Sequence, residues 1–262
     1  MGMVEVAGGR VQIEIEGPVA VFEVCRPEVH NALDLECLEA LGRFVEMIGQ
    51  RADVCAVILA GRGASFISGG DLRQFSTLRG VEAGNALSRR GGYILAALED
   101  LPQLTIAAMG GDTYGGGVEL ALACDLRFIE RSSNVALVQG RHGLTTAWGG
   151  GVRLARCVGY ARALEIMLEG RQIPAEEARA LGMVNRVVDD GQALVEARAM
   201  AARAAALTTP VVEGAKRVLR AAVTLEREEA WAEERRVFSE LWGSAHHEAR
   251  VQDFMDRRKG GA

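Results

Sequence analysis

Two glycine-rich turns and one glutamate are the residues of this chain best suited to chemistry. Ser68-Gly69-Gly70-Asp71 follows an apolar run, and Gly115-Gly116-Gly117 opens an apolar segment with helical spacing. Because glycine has no side chain, its backbone amide can approach a ligand closely. Two such turns can aim two N–H groups at one oxygen, which is how an oxyanion hole is built. Glu119 follows the second turn by two residues, so we predict an enolate-stabilising site with a carboxylate beside it.

Other kinds of chemistry fit the composition poorly. The five cysteines form no Cys-x-x-Cys pair and the four histidines no His-Glu-x-x-His spacing, so we expect neither a disulfide framework nor a metal site. The hydrolase motif Gly-x-Ser-x-Gly and the phosphate-binding Gly-Lys-Ser/Thr are absent. A dinucleotide-binding turn is excluded at 61–66, because Phe66 stands where glycine or alanine is needed.

The charge and hydropathy of the chain argue against two classes of partner. Thirty basic and 35 acidic residues give a formal net charge of -5 at pH 7, which provides no electrostatic reason to bind nucleic acid or an anionic membrane. No apolar run approaches the roughly 18 residues of a membrane-spanning helix. The first ten residues carry no signal-peptide pattern. We therefore expect a cytoplasmic protein without nucleic-acid or membrane partners.

The elements that must position the two turns alternate along the chain. Periodicity predicts strands at 11–15, 19–22, 55–60, 105–109, 126–129, 135–138 and 183–188, with a further strand around 66–68. It predicts helices at 34–48, 118–124 and 152–158, and a helical region from 193 onward. Residues 72–100 look helical but loosely patterned, with Gly80, Gly84, Gly91 and Gly92 as interruptions. This alternation predicts the α/β class, with a catalytic core over residues 1–205 and a helical region over 206–262.

Several linked motifs resemble the crotonase (enoyl-CoA hydratase/isomerase) superfamily. Residues 26–33, 65–72 and 115–125 carry its motifs in the family's order, and the match continues through 143–159, 171–178 and 254–258. The resemblance implies a crotonase-like spiral of β-β-α repeats. It also implies that the C-terminal helices form a trimerisation region, so the expected assembly is a homotrimer or hexamer.

The same resemblance implies an acyl-CoA substrate, with coenzyme A as part of the substrate and no separate cofactor or metal. The amides of Gly70 and Gly116 are expected to hold the thioester oxygen, with Glu119 as the catalytic carboxylate. The expected substrate and coenzyme A contacts are Arg26, Ser68, Asp71, Arg73, Gln139, Trp148, Phe254 and Arg257. Arg73 and Arg257 match positions that often meet the phosphates, although both are also plausible solvated surface charges.

One position departs from the pattern of the family's hydratases. These enzymes have a second glutamate after the strand at 135–138, where alignment back from Gly143 places Gln139. A glutamine amide neither accepts nor delivers a proton near neutral pH. Hydration uses two carboxylates to position and split one water. Hydratase activity is therefore expected to be weak or absent, and the family's isomerases usually depend on the same position.

A subgroup of the superfamily fits this departure better. Residues 68–72, Thr146-Ala147-Trp148-Gly149-Gly150 and Trp242-Gly243 resemble the ethylmalonyl-CoA and methylmalonyl-CoA decarboxylases. Loss of CO2 from a malonyl-type thioester generates the enolate directly, so no base has to remove a proton. Decarboxylation of a short malonyl-type acyl-CoA is our leading hypothesis, with Trp148 either an apolar wall of the site or core packing.

Two alternatives stay open. An enoyl-CoA hydratase or isomerase would need Glu119 to work with water and an unrecognised partner in place of Gln139. A non-catalytic acyl-CoA-binding or scaffold protein would have no need for a carboxylate beside an oxyanion hole. The presence of Glu119 therefore favours an enzyme.

Overall fold

The computed structural model describes residues 3–259, and the side chains of residues 3–257. Its strands are β1 (Val4–Val6), β2 (Val11–Glu16), β3 (Val19–Val24), β4 (Ala56–Gly61), β5 (Leu104–Met109), β6 (Thr113–Tyr114), β7 (Leu126–Glu130), β8 (Asn134–Ala136), β9 (Ile173–Pro174) and β10 (Arg186–Val188). Its α-helices are α1 (Leu35–Gly49), α2 (Leu72–Phe75), α3 (Gly80–Asp100), α4 (Gly116–Ala123), α5 (Gly150–Val158), α6 (Tyr160–Glu169), α7 (Ala175–Leu181), α8 (Ala193–Ala205), α9 (Thr209–Thr224), α10 (Arg227–Trp242) and α11 (Ala245–Lys259).

A large sheet forms the frame of the molecule, with strand order β1-β2-β3-β4-β5-β7-β10. The first three strands are antiparallel, and from β3 to β10 each neighbouring pair is parallel. The smaller sheet has the order β6-β8-β9. The chain therefore begins with a β-β-α unit, β2-β3-α1, and the predicted α/β class is confirmed.

The central strands are buried on both faces, which explains their nearly continuous apolar sequence. On β4, Val57 and Leu59 belong to the core beneath α1, α3 and α4, whereas Ala56 and Ile58 belong to a second core against α8. That helix presents a row of buried alanines to the sheet at helical spacing: Ala193, Ala197, Ala201 and Ala204. Small side chains in this row allow α8 to lie close to the strands.

Local signals explain where the predicted boundaries hold and where they fail. Asp34 caps α1 and accepts a hydrogen bond from the Cys37 amide at 2.8 Å, as the sequence predicts for this helix start. The helical stretch predicted over 72–100 forms two helices, α2 and α3, and the chain turns between them at Gly80, which adopts a φ of +81°. The extra strand predicted around 66–68 is wrong, since this segment forms no strand and isolated bridges flank it at Ser65 and Gly70.

The last three helices follow one another, and α9 packs along α10. One side chain ties them to the sheet. The Lys216 ammonium donates to the carbonyls of Leu101 at 2.7 Å and Gln103 at 2.8 Å, and it lies 2.7 Å from the Asp125 carboxylate. The division of the chain after residue 205 and the trimerisation role of these helices stay predictions. Within residues 3–259, no helix is long and apolar enough to cross a membrane.

Candidate active site

The carboxylate of Glu119 is buried in the first turn of α4 and is only 2% exposed. Its Oε1 accepts hydrogen bonds from Gln139 Nε2 at 3.1 Å and from the Ala147 amide at 3.3 Å. Its Oε2 accepts from the amides of Trp148 at 2.7 Å and Gly150 at 2.9 Å. Each oxygen therefore engages two N–H groups, which compensates the burial of a charged side chain.

Two of these donors come from the turn that opens α5. The first N–H groups of a helix have no partner inside it, and they carry a partial positive charge that favours an anion. A Cβ on Gly150 would lie 2.3 Å from Glu119 Cγ, so glycine is needed for the turn to come this close. The glycine-rich turn before α5 is visible in the sequence, but it does not indicate which group the amides of the turn bind, and the clamp was not predicted.

The two predicted oxyanion amides lie in neighbouring turns. Leu33 bridges the first turn, since its N–H donates to Gly69 and its carbonyl accepts from Asp71, which turns the Gly70 N–H to the opposite side. Gly116 is the first residue of α4, and a Cβ on Gly69 would lie 3.4 Å from its nitrogen. Within the described part of the chain, neither the Gly70 nor the Gly116 amide has an acceptor. Both are therefore available to a ligand.

An aromatic ring covers each of these glycines. A Cβ on Gly70 would lie 2.4 Å from Cε2 of Phe75, and a Cβ on Gly116 would lie 2.6 Å from Cζ3 of Trp148. The other side of the Trp148 indole packs on α3, where a Cβ on Gly91 would lie 2.3 Å from Nε1. Of the two interpretations of Trp148, burial agrees with packing, and the contact with Gly116 agrees with a wall of the site. The sequence analysis missed Phe75 and Gly91, since neither position carries a motif.

Gln139 lies directly against Glu119, and its alignment with the family's second glutamate stays a prediction. Its Nε2 faces the carboxylate, whereas its Oε1 is buried and has no hydrogen-bond partner among the described residues. The pair therefore supplies one carboxylate and one amide. An acceptor atom remains free beside the carboxylate.

Arg26 and Asp71 pair with each other beside the first turn. Arg26 Nη2 lies 2.9 Å from the Asp71 carboxylate, and its Nη1 lies 3.2 Å from Asp34. Burial raises the pKa of Asp71, but the hydrogen bonds from Arg26 and from two backbone amides outweigh it and hold that pKa below its usual value. Ser68 donates to the Val29 carbonyl at 3.4 Å. These contacts shape the loop, and a role of the three residues toward coenzyme A stays a prediction.

The remaining predicted contacts lie on exposed helices. Arg73 is exposed on α2, one turn after the first glycine-rich turn. Phe254 and Arg257 are exposed on α11, which packs on α10. The structure thus brings together the residues around Glu119, places Arg73 nearby, and leaves Phe254 and Arg257 on a separate element.

A buried arginine supports the loop that holds Glu119, and sequence analysis missed it. Arg153 on α5 donates to the Trp148 carbonyl at 2.8 Å and to Glu99 at 2.7 and 2.9 Å. An arginine in an amphipathic helix is more often a solvated residue, so its type carried no signal. No group of three His, Cys, Asp or Glu side chains within residues 3–259 could hold a metal ion.

Fold and site together define an α/β protein that places two unpartnered amides near a buried carboxylate. The family model described as Enoyl-CoA hydratase/isomerase matches residues 14–261. The chain is 30% identical over 250 residues to the short-chain-enoyl-CoA hydratase of Clostridium acetobutylicum, covering 95% of both chains. It is 38% identical over 191 residues to the mitochondrial enoyl-CoA hydratase domain-containing protein 2 of Mus musculus, covering 71% of this chain and 62% of that one.

Solved structures agree with these relatives. DspI of Pseudomonas aeruginosa superposes with a TM-score of 0.90 at 29% identity, covering 97% of this chain and 96% of that one. The enoyl-CoA hydratase of Bacillus anthracis gives a TM-score of 0.90 at 27% identity, covering 95% and 96%. The chain belongs to the enoyl-CoA hydratase/isomerase family, an enzyme family of the crotonase superfamily. The predicted resemblance to the crotonase superfamily and the crotonase-like fold are confirmed, whereas the resemblance to its decarboxylases stays a prediction.

Proposed function

We propose that this enzyme holds the thioester oxygen of an acyl-CoA between the amides of Gly70 and Gly116, and that its leading reaction is decarboxylation of a short malonyl-type acyl-CoA. The bond between the α-carbon and the carboxylate breaks, and its electron pair forms the enolate. The negative charge develops on the thioester oxygen while CO2 leaves. The enolate then takes a proton from solvent water at the α-carbon, and the hydroxide that remains is neutralised by the solvent buffer.

The state of Glu119 is the observation that carries this proposal. Its two oxygens already accept four hydrogen bonds, so it must give up one of them to take a proton from water. The neighbouring Gln139 cannot serve as the second acid or base. Decarboxylation requires no base in the bond-breaking step, so one carboxylate and two amide donors are sufficient for it.

The two amides would provide most of the rate enhancement. A donor aimed at a developing oxyanion is worth about 3–4 kcal/mol of barrier, because it is already oriented when charge develops. In this scheme Glu119 stays ionised and orients the substrate, and solvent water supplies the proton of the enolate step. Its clamp holds the carboxylate in one place, which such a role requires.

Hydration of an enoyl-CoA is the second candidate, and the names of the relatives favour it. The similar proteins from Clostridium acetobutylicum and Bacillus anthracis are both named as enoyl-CoA hydratases. In this chain, the free Oε1 of Gln139 could accept a hydrogen bond from the attacking water, and Glu119 would have to provide both proton transfers. Isomerisation of an enoyl-CoA meets the same shortage of a second carboxylate.

The remaining predictions extend from the same proposal. Arg26, Ser68, Asp71 and Arg73 would line the path of coenzyme A past the first turn, and Phe254 and Arg257 would contact it from α11. We also propose a homotrimer or hexamer, supported by apolar side chains that α9 and α10 leave exposed: Leu219, Val223, Trp231, Phe238 and Trp242. A cytoplasmic location stays a prediction.

A mass-resolved assay tests the proposed reaction. Purified protein is incubated in parallel with methylmalonyl-CoA, ethylmalonyl-CoA and crotonyl-CoA. The proposal expects loss of CO2 from a malonyl-type thioester without addition of water to crotonyl-CoA. Fast hydration of crotonyl-CoA instead would establish the second candidate. Binding of all three thioesters without conversion would contradict both and leave an acyl-CoA-binding protein.

A further inference from the structure

We propose that the Trp148 indole is the wall that limits the length of the acyl group, which makes Trp148 the specificity-determining residue of the site. This inference rests on the proposed function, because it assumes an acyl-CoA held at Gly70 and Gly116. It adds the physical cause of the preference for short acyl groups, because the indole excludes longer ones.

The ring lies against the oxyanion turn, and the backbone of the same residue binds the carboxylate. The Trp148 amide donates to Glu119 at 2.7 Å, so one residue contacts both parts of the site. A Cβ on Gly116 would lie 2.6, 3.1 and 3.2 Å from Cζ3, Cη2 and Cε3, so the six-membered ring lies flush against that glycine. Acyl carbons that extend from a thioester held at Gly116 toward Glu119 therefore meet the ring.

The ring is fixed from behind, so it cannot move aside easily. A Cβ on Gly91 of α3 would lie 2.3 to 2.6 Å from the indole atoms Nε1, Cδ1 and Cε2. The Trp148 carbonyl is held by Arg153 at 2.8 Å, and the side chain is only 4% exposed. Close-packed interiors resist such displacement. A longer acyl chain would have to push the indole into α3.

The indole of Trp148 contributes its size at this position, and it makes no hydrogen bond with the described residues. Its N–H is buried and has no hydrogen-bond partner among the described residues, which is unfavourable for a polar group. Hydrogen bonding therefore does not explain why a tryptophan stands here. Glycine at both 91 and 116 leaves room for a ring of this size, which is consistent with a role in shape.

Replacing the ring tests the proposal. W148A keeps the backbone clamp on Glu119 but opens the space over Gly116. Y160A is the control, because Tyr160 on α6 is an aromatic residue that is 78% exposed and lies outside the proposed site and interface. The kcat/KM is measured for malonyl-CoA thioesters with methyl, ethyl, butyl and hexyl groups, and for enoyl-CoA thioesters of four to ten carbons. In W148A we expect the ratio of the longest to the shortest substrate to rise at least tenfold, and in Y160A to stay unchanged.

A smaller ring and a binding measurement keep the test decisive if W148A folds poorly. W148F is expected to give an intermediate shift. In the double variant W231F/W242F, Trp148 is the sole tryptophan of the chain. Its emission should change on titration with butyryl-CoA, and decanoyl-CoA should bind at least tenfold more weakly.

The outcomes separate this inference from the proposed function. If thioesters bind and are converted but the length profile of folded W148A or W148F equals that of the parent protein, the inference is wrong and the proposed function stands. If no thioester changes the emission and none is converted, the proposed function itself is contradicted.

Discussion

At the scale of single residues, the defining feature of the site is that both oxygens of the Glu119 carboxylate already accept two hydrogen bonds each. Four N–H groups surround one buried carboxylate, and three of them are backbone amides. Such a group is well held but has little freedom to change partners. In the proposed mechanism the side chain beside Glu119, which in this chain is Gln139, decides which reactions are open.

Replacing Glu119 with glutamine should cut turnover at least a hundredfold. In E119Q an NH2 group replaces one carboxylate oxygen and faces the N–H donors that this oxygen accepted from, so part of the four-donor clamp is lost. Turnover is measured with the substrate found in the parallel assay, and coenzyme A binding is measured by calorimetry. We expect binding to persist, because the predicted coenzyme A contacts lie elsewhere. A folded E119Q variant with unchanged turnover would remove Glu119 from the mechanism.

The identities of these residues were predictable, but their connections were not. Gly70, Gly116 and Glu119 are visible in sequence because the glycine turns flank apolar runs. The clamp from Ala147, Trp148 and Gly150 is made of backbone N–H groups, which every residue except proline carries. The type of a residue does not indicate the direction of its backbone N–H group, so the clamp was visible only in the folded structure.

At the scale of elements, short turns and caps set the geometry that regular strands and helices support. Asp71 illustrates this, since it caps α2 through two backbone amides and also pairs with Arg26. Asp71 thereby connects the loop at residues 26–33 to the turn that carries Gly70. Periodicity found the regular elements, and Gly80 marked the break between α2 and α3, whereas the buried, irregular segment around Phe66 was wrongly predicted as a strand.

The Arg26–Asp71 pair should contribute to the free energy of unfolding at neutral pH, and this contribution should disappear in acid. Because the pKa of Asp71 is held below its usual value, this contribution is complete above about pH 4 and is lost as the pH falls through the folded-state pKa. D71N retains a capping side chain but loses the charge. We expect its free energy of unfolding to be about 1–2 kcal/mol lower than that of the parent protein at pH 6.

Urea unfolding between pH 3 and 7 measures this difference. The gap between the parent protein and D71N should stay constant above pH 5 and narrow below about pH 4. A gap that is independent of pH down to pH 3 would show that the Arg26–Asp71 charge pair does not act as described.

At the scale of the whole molecule, the C-terminal helices are joined to the core through few polar contacts. Lys216 is the most buried of these, with three acceptors and a side chain only 11% exposed. Burial lowers the pKa of its ammonium group, although the nearby Asp125 opposes this effect. The alternation of strands and helices predicted the overall class, but a lysine in a charged helix gave no sign that it would reach the sheet.

Removing Lys216 should loosen α9 from the sheet. K216M leaves the Asp125 carboxylate and two buried carbonyls with fewer partners, so we expect a loss of about 3 kcal/mol in the free energy of unfolding. Limited proteolysis should then cut the chain faster near 206–226. R220M is the control, because the Arg220 pair with Asp100 is more exposed and should matter little. Equal stability and proteolysis in K216M and R220M would contradict this role.

The central claim is that a single carboxylate beside Gln139 sets the reaction, and Q139E tests it most directly. The variant places a second carboxylate next to Glu119, and two such close carboxyl groups share a proton, so one can act as acid and the other as base. Crotonyl-CoA hydration and malonyl-type decarboxylation are measured in the parent protein, in Q139E and in Q139M as an uncharged control. We expect decarboxylation without hydration in the parent protein and a rise in hydration of at least a hundredfold in Q139E alone. Rapid hydration by the parent protein, with no gain in folded Q139E, would contradict the claim.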